Sequence, residues 1–429
     1  MAGLWNKRNS YNRVNVTPCK YYTVCAENKG QDETILAFTL TPAIAEDFVG
    51  RKEITAEMTK QLSSNNKIGF SLSGIRRIGK TSILKEVGRR LSEKKIPVVY
   101  VSVWRVSPNT IDELVRVVNR ASLKAFQDKL PTKFKFEELL AAGKAALVTF
   151  LRNLKLSAKV AEDLELTVSY VRKETDDVDA AITACLSLIE HLGEMTKSKS
   201  VLIIDEFPSM AELTYGTKNQ KIGDSIIKLI RTLYEDFRQT KLVVSGSYRQ
   251  TMENLVAKKR SPFYKQLLLR EIESFSATEY DEFIQHYLRD LKLADDEVKK
   301  QLFNVTSGIP YNLQLLGTKI QLQDTDYLDS EKLSKLVQTV LKKEGELSFR
   351  EFVDDLSPSE VKVLKALARA PEMKPSEIAS QRFIDKDTVG SSLSALVKSG
   401  VIERSGRGIY RFTDNLFCEW MKIIDDGNF

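Results

Sequence analysis

Residues 71–87, SLSGIRRIGKTSILKEV, contain the pattern G-x-x-x-x-G-K-[ST] at Gly74, Gly79, Lys80 and Thr81. An apolar run leads directly into Gly74, and an amphipathic helical pattern follows Gly79. A loop between a strand and a helix can cradle phosphate, because its backbone N–H groups and the positive end of the helix dipole point at the anion. The stretch therefore predicts a phosphate-binding loop within an α/β fold.

Short β-branched runs alternate with helical patterns along the chain, which is typical of a parallel sheet covered by helices. The runs are nearly continuous in Val, Ile and Leu, as expected for strands that are buried on both faces. The candidate strands are residues 67–74, 96–104, 200–207, 240–247 and 267–272. These runs predict a five-stranded, doubly wound parallel sheet of the P-loop type.

The chain of 429 residues is too long for one ordinary core and is expected to divide into domains. Three short helical patterns after Leu356 and a glycine-tipped hairpin are the layout of a winged helix-turn-helix. Within the long segment between the second and third strands, residues 158–174 fit either a helix or a hairpin. The predicted units are an N-terminal arm (1–46), a core (47–274) with a helical insertion at about 105–198, a helical lid (275–350) and a winged helix (351–429).

The composition argues against a zinc protein and a membrane protein. The cysteines and histidines are Cys19, Cys25, Cys185, Cys418, His191 and His286. The cysteines have no CxxC spacing, so we expect reduced thiols and no tetrahedral zinc site. No signal peptide and no run of about 18 apolar residues occurs, which predicts a cytoplasmic protein without a membrane partner. The net charge of +7 is a mild excess that suits acidic partners such as nucleotides or nucleic acid.

The glycine-rich loop supplies most of the predicted nucleotide contacts. Lys80 is expected to neutralise oxygens of the β- and γ-phosphates, and Thr81 to place its hydroxyl on Mg²⁺. The predicted contacts are Gly74, Ile75, Arg76, Arg77, Ile78, Gly79, Lys80, Thr81 and Ser82.

Two further strand ends carry polar side chains suited to phosphate chemistry. The run VLIIDEF ends in Asp205, which is placed to hold Mg²⁺, and Glu206, which could orient or deprotonate an attacking water. The next run ends VVSGS, where Ser245 or Ser247 could sense the γ-phosphate or simply form a turn. Lys80, Asp205 and Glu206 are therefore the candidate catalytic residues.

Five segments together resemble the archaeal-type ATPases of the STAND group, which are relatives of AAA+ proteins. These segments are FVGRKEI (48–54), GIRRIGKTS, VLIIDEF, VVSGSYRQTM and TSGIPYNLQLLG, and the resemblance spans roughly residues 42–425. It implies that ATP or ADP is the nucleotide and Mg²⁺ the metal. It also implies that Gly50 and Arg51 lie near the base and ribose, and that Gly308, Ile309 and Pro310 close the lid. Arg51 could equally be an exposed helix-start residue, and Pro310 could simply open a helix.

The arginines of the glycine-rich loop have two interpretations. Arg76 or Arg77 could contact phosphate, which we favour for one of them, or a neighbouring subunit's nucleotide; both could also be solvated loop residues. Relatives often carry Gly-Arg after the tyrosine of a segment resembling SPFYKQLLL, where this chain has Lys265 and Gln266. The remaining candidates for an arginine finger are Arg249, Arg260 and Arg270.

The winged-helix region carries a local excess of positive charge. Its predicted recognition helix contains Thr388, Ser391, Ser392 and Ser394, which could enter a major groove. Lys398, Arg404 and Arg407 could then touch DNA phosphates, although the region could instead pack on the nucleotide domain or a protein partner.

The primary hypothesis is an Mg²⁺-dependent ATPase that couples nucleotide state to movement of the lid and winged helix, with DNA as a candidate partner. One alternative is an initiator-like or regulatory DNA-binding protein that holds ATP with little turnover. Another is a signalling or defence switch that forms a homo-oligomer.

Overall fold

The computed structural model describes residues 38–216, 219–247, 249–256, 261–289, 291–293, 295–323, 327–382 and 384–425. Most of the predicted N-terminal arm, with Cys19 and Cys25, lies outside these ranges. Arg260 and the side chain of Arg249, two candidates for the arginine finger, lie outside the description as well.

The strands, in chain order, are β1 Gly69–Ser73, β2 Val98–Ser102, β3 Ser200–Asp205, β4 Thr214–Tyr215, β5 Gln220–Lys221, β6 Thr240–Gly246, β7 Leu267–Glu271, β8 Lys292–Leu293, β9 Tyr327–Leu328, β10 Ile402–Gly406 and β11 Ile409–Phe412. The α-helices are α1 Lys52–Ser63, α2 Lys80–Glu93, α3 Ile111–Phe126, α4 Phe136–Ala141, α5 Lys144–Asn153, α6 Ala158–Val171, α7 Val178–Met195, α8 Gly223–Asp236, α9 Arg249–Val256, α10 Ala277–Tyr287, α11 Asp296–Thr306, α12 Pro310–Gln321, α13 Ser330–Val340, α14 Glu346–Asp354, α15 Pro358–Leu367, α16 Pro375–Arg382, α17 Lys386–Lys398 and α18 Asn415–Asp425. Short 3₁₀ helices span Ala45–Asp47, Val103–Arg105 and Phe207–Glu212, and a π-helical turn spans Leu341–Gly345.

The central sheet has five parallel strands in the order β2-β3-β6-β1-β7. The predicted α/β fold class is therefore confirmed, and each predicted strand overlaps an observed one. β6 lies between β1 and β3, so one strand separates the glycine-rich loop from the Asp205 strand end. The carboxyl ends of all these parallel strands meet at one edge of the sheet, where ligands of such folds bind.

Alternate residues of β3 face opposite sides of the sheet, as strand geometry requires. Val201 and Ile203 belong to a hydrophobic cluster with α1 and α2, whereas Leu202 and Ile204 belong to a second cluster with α3, α7 and α8. Both faces of β3 are thus covered, which explains the uninterrupted apolar run in its sequence.

The predicted insertion contains the five helices α3 to α7, between β2 and β3. Residues 158–171, which fitted either a helix or a hairpin, form the helix α6. The Ser157 side chain accepts a hydrogen bond from the backbone N–H of Val160 at the start of α6. Val160, Leu164 and Val168 recur at the helical spacing of four residues and are buried, so tertiary packing favours the helix over a hairpin.

The C-terminal region has the predicted helices and the predicted hairpin of a winged helix. Helix α10 begins at a capping box formed by Ser276 and Glu279. A single hydrophobic cluster runs from Phe275 to Ile423, through both the helical lid and the winged helix. Trp420 is fully buried, and its ring lies 5.7 Å from that of Phe349. None of the helices in the described ranges has the length and apolar surface needed to cross a lipid bilayer.

Candidate nucleotide-binding site

The glycine-rich loop joins β1 to α2 at the carboxyl edge of the sheet. Gly74 has φ 155°, and a Cβ at this position would lie 2.5 Å from the carbonyl oxygen of Ile272. Gly79 has φ 95° at the N-cap of α2. Both positions therefore require glycine, Gly74 for close approach of backbone and Gly79 for its left-handed conformation.

Lys80 begins α2 and turns its ammonium back over the loop. Its Nζ donates hydrogen bonds to the carbonyl oxygens of Gly74 (3.0 Å) and Ile75 (2.9 Å), and the residue is 5% exposed. Burial lowers the pKa of Lys80 to about 8, while the nearby carboxylates of Glu206 and Asp205 oppose this change. An ammonium in this position can neutralise a phosphate with little loss to solvent screening.

Three hydroxyl groups from three different elements surround the carboxylate of Asp205. Thr81 Oγ1 and Tyr100 Oη both donate to Asp205 Oδ2, at 2.8 and 2.7 Å, and Ser245 Oγ donates to Oδ1. Asp205 is 3% exposed, so these bonds satisfy a nearly buried charge. Burial and the negative charge of Asp205 raise the pKa of Tyr100, which stays a donor.

Glu206 follows Asp205 with φ 57° and ψ 47°, a left-handed conformation that is uncommon for glutamate. Its Oε1 accepts a hydrogen bond of 2.6 Å from Ser247 Oγ, and its backbone N–H donates to Ser245 Oγ at 3.3 Å. The two serines therefore have different contacts, Ser245 with Asp205 and Ser247 with the side chain of Glu206.

The donor set fits a hard divalent cation of the Mg²⁺ type. Within the described ranges, no group of three or more His, Cys, Asp and Glu residues could hold a metal ion. Mg²⁺ commonly takes one or two protein oxygens and completes its octahedron with phosphate and water. The hydroxyl of Thr81 and the carboxylate of Asp205 lie together beside the loop and would supply such oxygens.

A cavity of about 490 Å³ opens beside the loop, which is in the size range of nucleotide and drug-sized ligands. Its lining combines charged loop residues with aromatic rings from the lid. The lining residues are Thr39, Leu40, Thr41, Pro42, Ala43, Asp47, Phe48, Val49, Arg51, Arg76, Arg77, Ile78, Gly79, Lys80, Thr81, Ser82, Trp104, Glu206, Ser247, Phe275, Phe283, Tyr287, Pro310, Tyr311 and Gln314.

Most of the predicted site residues line this cavity; those that do not are Gly50, Gly74, Ile75, Asp205, Ser245, Gly308 and Ile309. Gly74 and Ile75 lie at the base of the loop, and Asp205 is reached through its hydrogen bond to Thr81. Gly50 packs against the lid, since a Cβ there would lie 3.1 Å from the ring of Phe275.

Sequence reasoning missed Tyr100, in the middle of β2, and Trp104, in the short 3₁₀ helix that follows β2. Trp104 lines the cavity and is 63% exposed, which is unusual for a large apolar ring. Tyr100 is a polar ring in the otherwise apolar run of β2, and that was the available signal.

Arg51 connects the start of α1 to the loop and the lid. Its guanidinium donates to the carbonyl oxygens of Glu273 (2.5 Å) and Ile78 (3.4 Å) and pairs with Glu279 at 3.6 Å. It also lies 4.8 Å from the ring centroid of Phe275. Arg51 therefore lines the cavity and is not an exposed helix-start residue, whereas Pro310 both lines the cavity and opens α12.

Arg76 and Arg77 are both exposed at the cavity. The Arg77 guanidinium lies 4.5 Å from the ring centroid of Tyr311 and 5.8 Å from that of Phe349. Arg77 thus contacts aromatic rings of the C-terminal region rather than solvent alone, and a phosphate contact of either arginine stays a prediction. Arg270, one finger candidate, forms a two-pronged ion pair with Glu57 at 3.1 and 2.5 Å.

The winged helix presents part of the predicted polar surface. Lys398, Arg404 and Arg407 are exposed. The expectation that Ser392 enters a groove was wrong, because this residue is 5% exposed. It shares the buried face of α17 with Val389, Leu393 and Leu396.

The wing's charge is partly neutralised within the region itself, because Arg411 pairs with Glu403 at 2.7 Å. Ser391 and Ser394 remain exposed on α17, and Thr388 is partly buried.

A strand–loop–helix with Lys80 and Thr81, facing an Asp-Glu strand end across one intervening strand, defines the class of P-loop nucleoside triphosphatases. Residues 48–316 match the family model described as an ATPase domain predominantly from Archaea, and residues 354–408 match that of the MarR family. The chain therefore belongs to this archaeal ATPase family and carries a MarR-type winged helix. The predicted archaeal-type ATPase is confirmed, whereas the STAND subgroup stays a prediction.

Two solved structures have a similar fold. A Walker-type ATPase of Pyrococcus abyssi is 20% identical, with a TM-score of 0.62, covering 90% of this chain and 99% of that chain. The ORC2 protein of Aeropyrum pernix, solved in ADPNP–ADP complexes, is 13% identical, with a TM-score of 0.53 and coverages of 88% and 94%. No curated protein matches the sequence significantly.

Proposed function

We propose that the protein is an Mg²⁺-dependent ATPase whose nucleotide state drives a conformational switch. The hydrogen bond of 2.8 Å between Thr81 and Asp205 is the observation that carries this proposal. It joins the start of α2 to the end of β3, and so brings the phosphate loop and the acidic strand end into one site.

Each residue of the site has a role in this chemistry. The loop N–H groups and Lys80 would bind the phosphates, and Ser247 would hold Glu206 while that carboxylate orients or deprotonates the attacking water. Mg²⁺, held by Thr81 and Asp205, would neutralise charge on the phosphate oxygens. The burial of Lys80 and Asp205 strengthens the electrostatic part of this binding.

The switch is supported by contacts between the loop and the C-terminal region. The Arg77 guanidinium lies over the rings of Tyr311 and Phe349, and a Cβ on Gly400 in the winged helix would lie 3.9 Å from Cγ2 of Ile75. A phosphate that shifts the loop would therefore change contacts with both the lid and the winged helix. Differential contacts of this kind are what a ligand needs to shift a conformational equilibrium.

Lys80→Ala and Glu206→Gln test the enzymatic proposal. We expect Lys80→Ala to lose ATP binding, because it removes the buried ammonium, and Glu206→Gln to bind ATP but hydrolyse it about 100-fold or more slowly. Binding is measured with a fluorescent ATP analogue and hydrolysis by phosphate release. The exposed Lys60→Ala is the matched control. Unchanged binding in the first variant, or unchanged hydrolysis in the second, would overturn the site assignment.

Duplex DNA is a second candidate ligand, favoured by the MarR-type winged helix and its exposed Lys398, Arg404 and Arg407. Under this second candidate function, the protein holds ATP, hydrolyses it slowly and acts on DNA. The affinity for DNA falls as salt rises, and Arg404→Ala combined with Arg407→Ala should make this fall shallower. The magnitude of the slope of log affinity against log salt should decrease by about 2, because two phosphate contacts are lost. Fluorescence anisotropy at several salt concentrations measures this slope. Equal slopes in the wild type, this variant and a control with Lys332→Ala and Lys335→Ala would rule out the predicted interface.

A further inference from the structure

Tyr100 is the middle residue of β2, and its hydroxyl lies 2.7 Å from Oδ2 of Asp205. We propose that Tyr100 is a positioning residue, whose hydroxyl holds the Asp205 carboxylate in the orientation that binds Mg²⁺. This role rests on the proposed Mg²⁺-dependent function. In this proposal, Tyr100 acts only through Asp205 and does not contact the nucleotide.

The carboxylate is held from both neighbouring strands. β2 and β6 flank β3 in the sheet, and they supply Tyr100 and Ser245 respectively. Ser245 donates to Oδ1, and Tyr100 and Thr81 both donate to Oδ2. Without Tyr100, one side of the carboxylate would keep only Thr81, which is itself a proposed metal ligand, and the plane of the carboxylate would be free to turn.

The ring of Tyr100 has packing contacts that do not depend on its hydroxyl. It lies against the hydrophobic cluster formed by α1, α2 and the sheet. Tyr100→Phe therefore keeps the ring and its packing and removes the bond to Asp205. Partners that orient a metal ligand typically change metal affinity about 10–100-fold when they are mutated.

The test measures how much Mg²⁺ strengthens binding of a fluorescent, non-hydrolysable ATP analogue. In Tyr100→Phe, we expect affinity without Mg²⁺ to match the wild type and the gain on adding Mg²⁺ to fall about 10-fold or more. The free Mg²⁺ concentration for half-maximal hydrolysis should rise by a similar factor. Tyr280→Phe is the control, because the hydroxyl of this buried tyrosine donates to the carbonyl oxygen of Lys299 at 2.9 Å, in the lid.

Several results would overturn the proposal. These are an unchanged Mg²⁺ effect in Tyr100→Phe, an equal loss in Tyr280→Phe, and failure of Tyr100→Phe to fold, which would make the hydroxyl a structural requirement. A wild-type protein whose nucleotide affinity does not respond to Mg²⁺ would instead contradict the proposed function itself.

Discussion

Arg51 illustrates how one side chain can tie distant parts of the chain to the site. Its side chain is 10% exposed and contacts Ile78 in the loop, Glu273 after β7 and Glu279 in α10. Burial lowers the pKa of Arg51, and the charge of Glu279 opposes that change. Arg51 also adopts φ 56°, so its backbone is held in a left-handed conformation by these surroundings.

Arg51→Ala should reduce the free energy of unfolding by about 3 kcal/mol, because it removes a nearly buried guanidinium with its hydrogen bonds to two carbonyl oxygens and its ion pair with Glu279. Chemical denaturation measures the loss, and nucleotide affinity should fall with it. The adjacent Lys52→Ala removes an exposed pair with Glu282 and should cost less than about 1 kcal/mol. Similar losses in the two variants would contradict a buried structural role for Arg51.

At the residue scale, local motifs were predictable and contacts over long sequence distances were not. Lys80, Thr81 and Asp205 follow from short patterns whose spacing sets their geometry. Tyr100 contacts Asp205 only because β2 pairs with β3, and its sequence context shows just an apolar strand. An isolated polar residue in such a strand has too many potential partners for sequence reasoning to choose among them.

Among the elements, the insertion helices α6 and α7 contain an ionisable pair away from the nucleotide site. Asp163 Oδ2 lies 2.6 Å from His191 Nδ1, and Asp163 is 7% exposed. Burial raises the pKa of Asp163 to about 6 from its ordinary 3.8, and the hydrogen bond to His191 opposes the rise. Glu162 and Lys159 on α6 and Cys185 on α7 are the other titratable groups that interact with Asp163.

The raised pKa predicts a pH dependence of stability. The folded chain binds a proton at Asp163 more tightly than the unfolded chain, so this stabilisation is greatest below about pH 4 and is lost as the pH rises through about 6. Asp163→Asn should remove this pH dependence. In the wild type it lowers the free energy of unfolding between pH 4 and 7 by on the order of 1 kcal/mol, after allowing for solvent screening. Urea unfolding at pH 4 to 7 measures the difference from wild type. The exposed Glu165→Gln on the same helix should keep this pH dependence, and a pH dependence retained in Asp163→Asn would refute the assignment.

At the scale of the whole molecule, the loop, the lid and the winged helix are linked through Arg77. Burial raises the pKa of Asp414, just before α18, and the positive charge of Arg77 is one of the effects that oppose this rise. Asp414 also accepts a hydrogen bond of 2.9 Å from Asn312 in α12. Arg77 therefore interacts with residues of both the helical lid and the winged helix.

Arg77→Ala should weaken communication from the nucleotide site. In the wild type, we expect ATP to change hydrogen exchange in residues 341–356 and 399–418, and in the variant we expect this change to shrink roughly fivefold, for a coupling of about 1 kcal/mol. Mass spectrometry of deuterated peptides provides the measurement. Arg404→Ala, an equivalent substitution on the wing, should leave the ATP effect intact. An ATP effect of wild-type size in Arg77→Ala would exclude this route.

The order of helices and the hairpin of the C-terminal region were predictable, but the way these parts associate was not. Capping residues and helical spacing define each element locally. Apolar residues such as Phe349 and Trp420 mark buried faces without specifying which face they meet.

The continuous core between the lid and the winged helix limits how the molecule can be divided. A Cβ on Gly345 would lie 2.8 Å from the indole of Trp420, so even one methyl group has no room at this junction. A fragment cut near residue 350 would expose apolar surface on both pieces. We therefore expect a movement of either region relative to the sheet to carry the other with it, so that both reorient as a single unit.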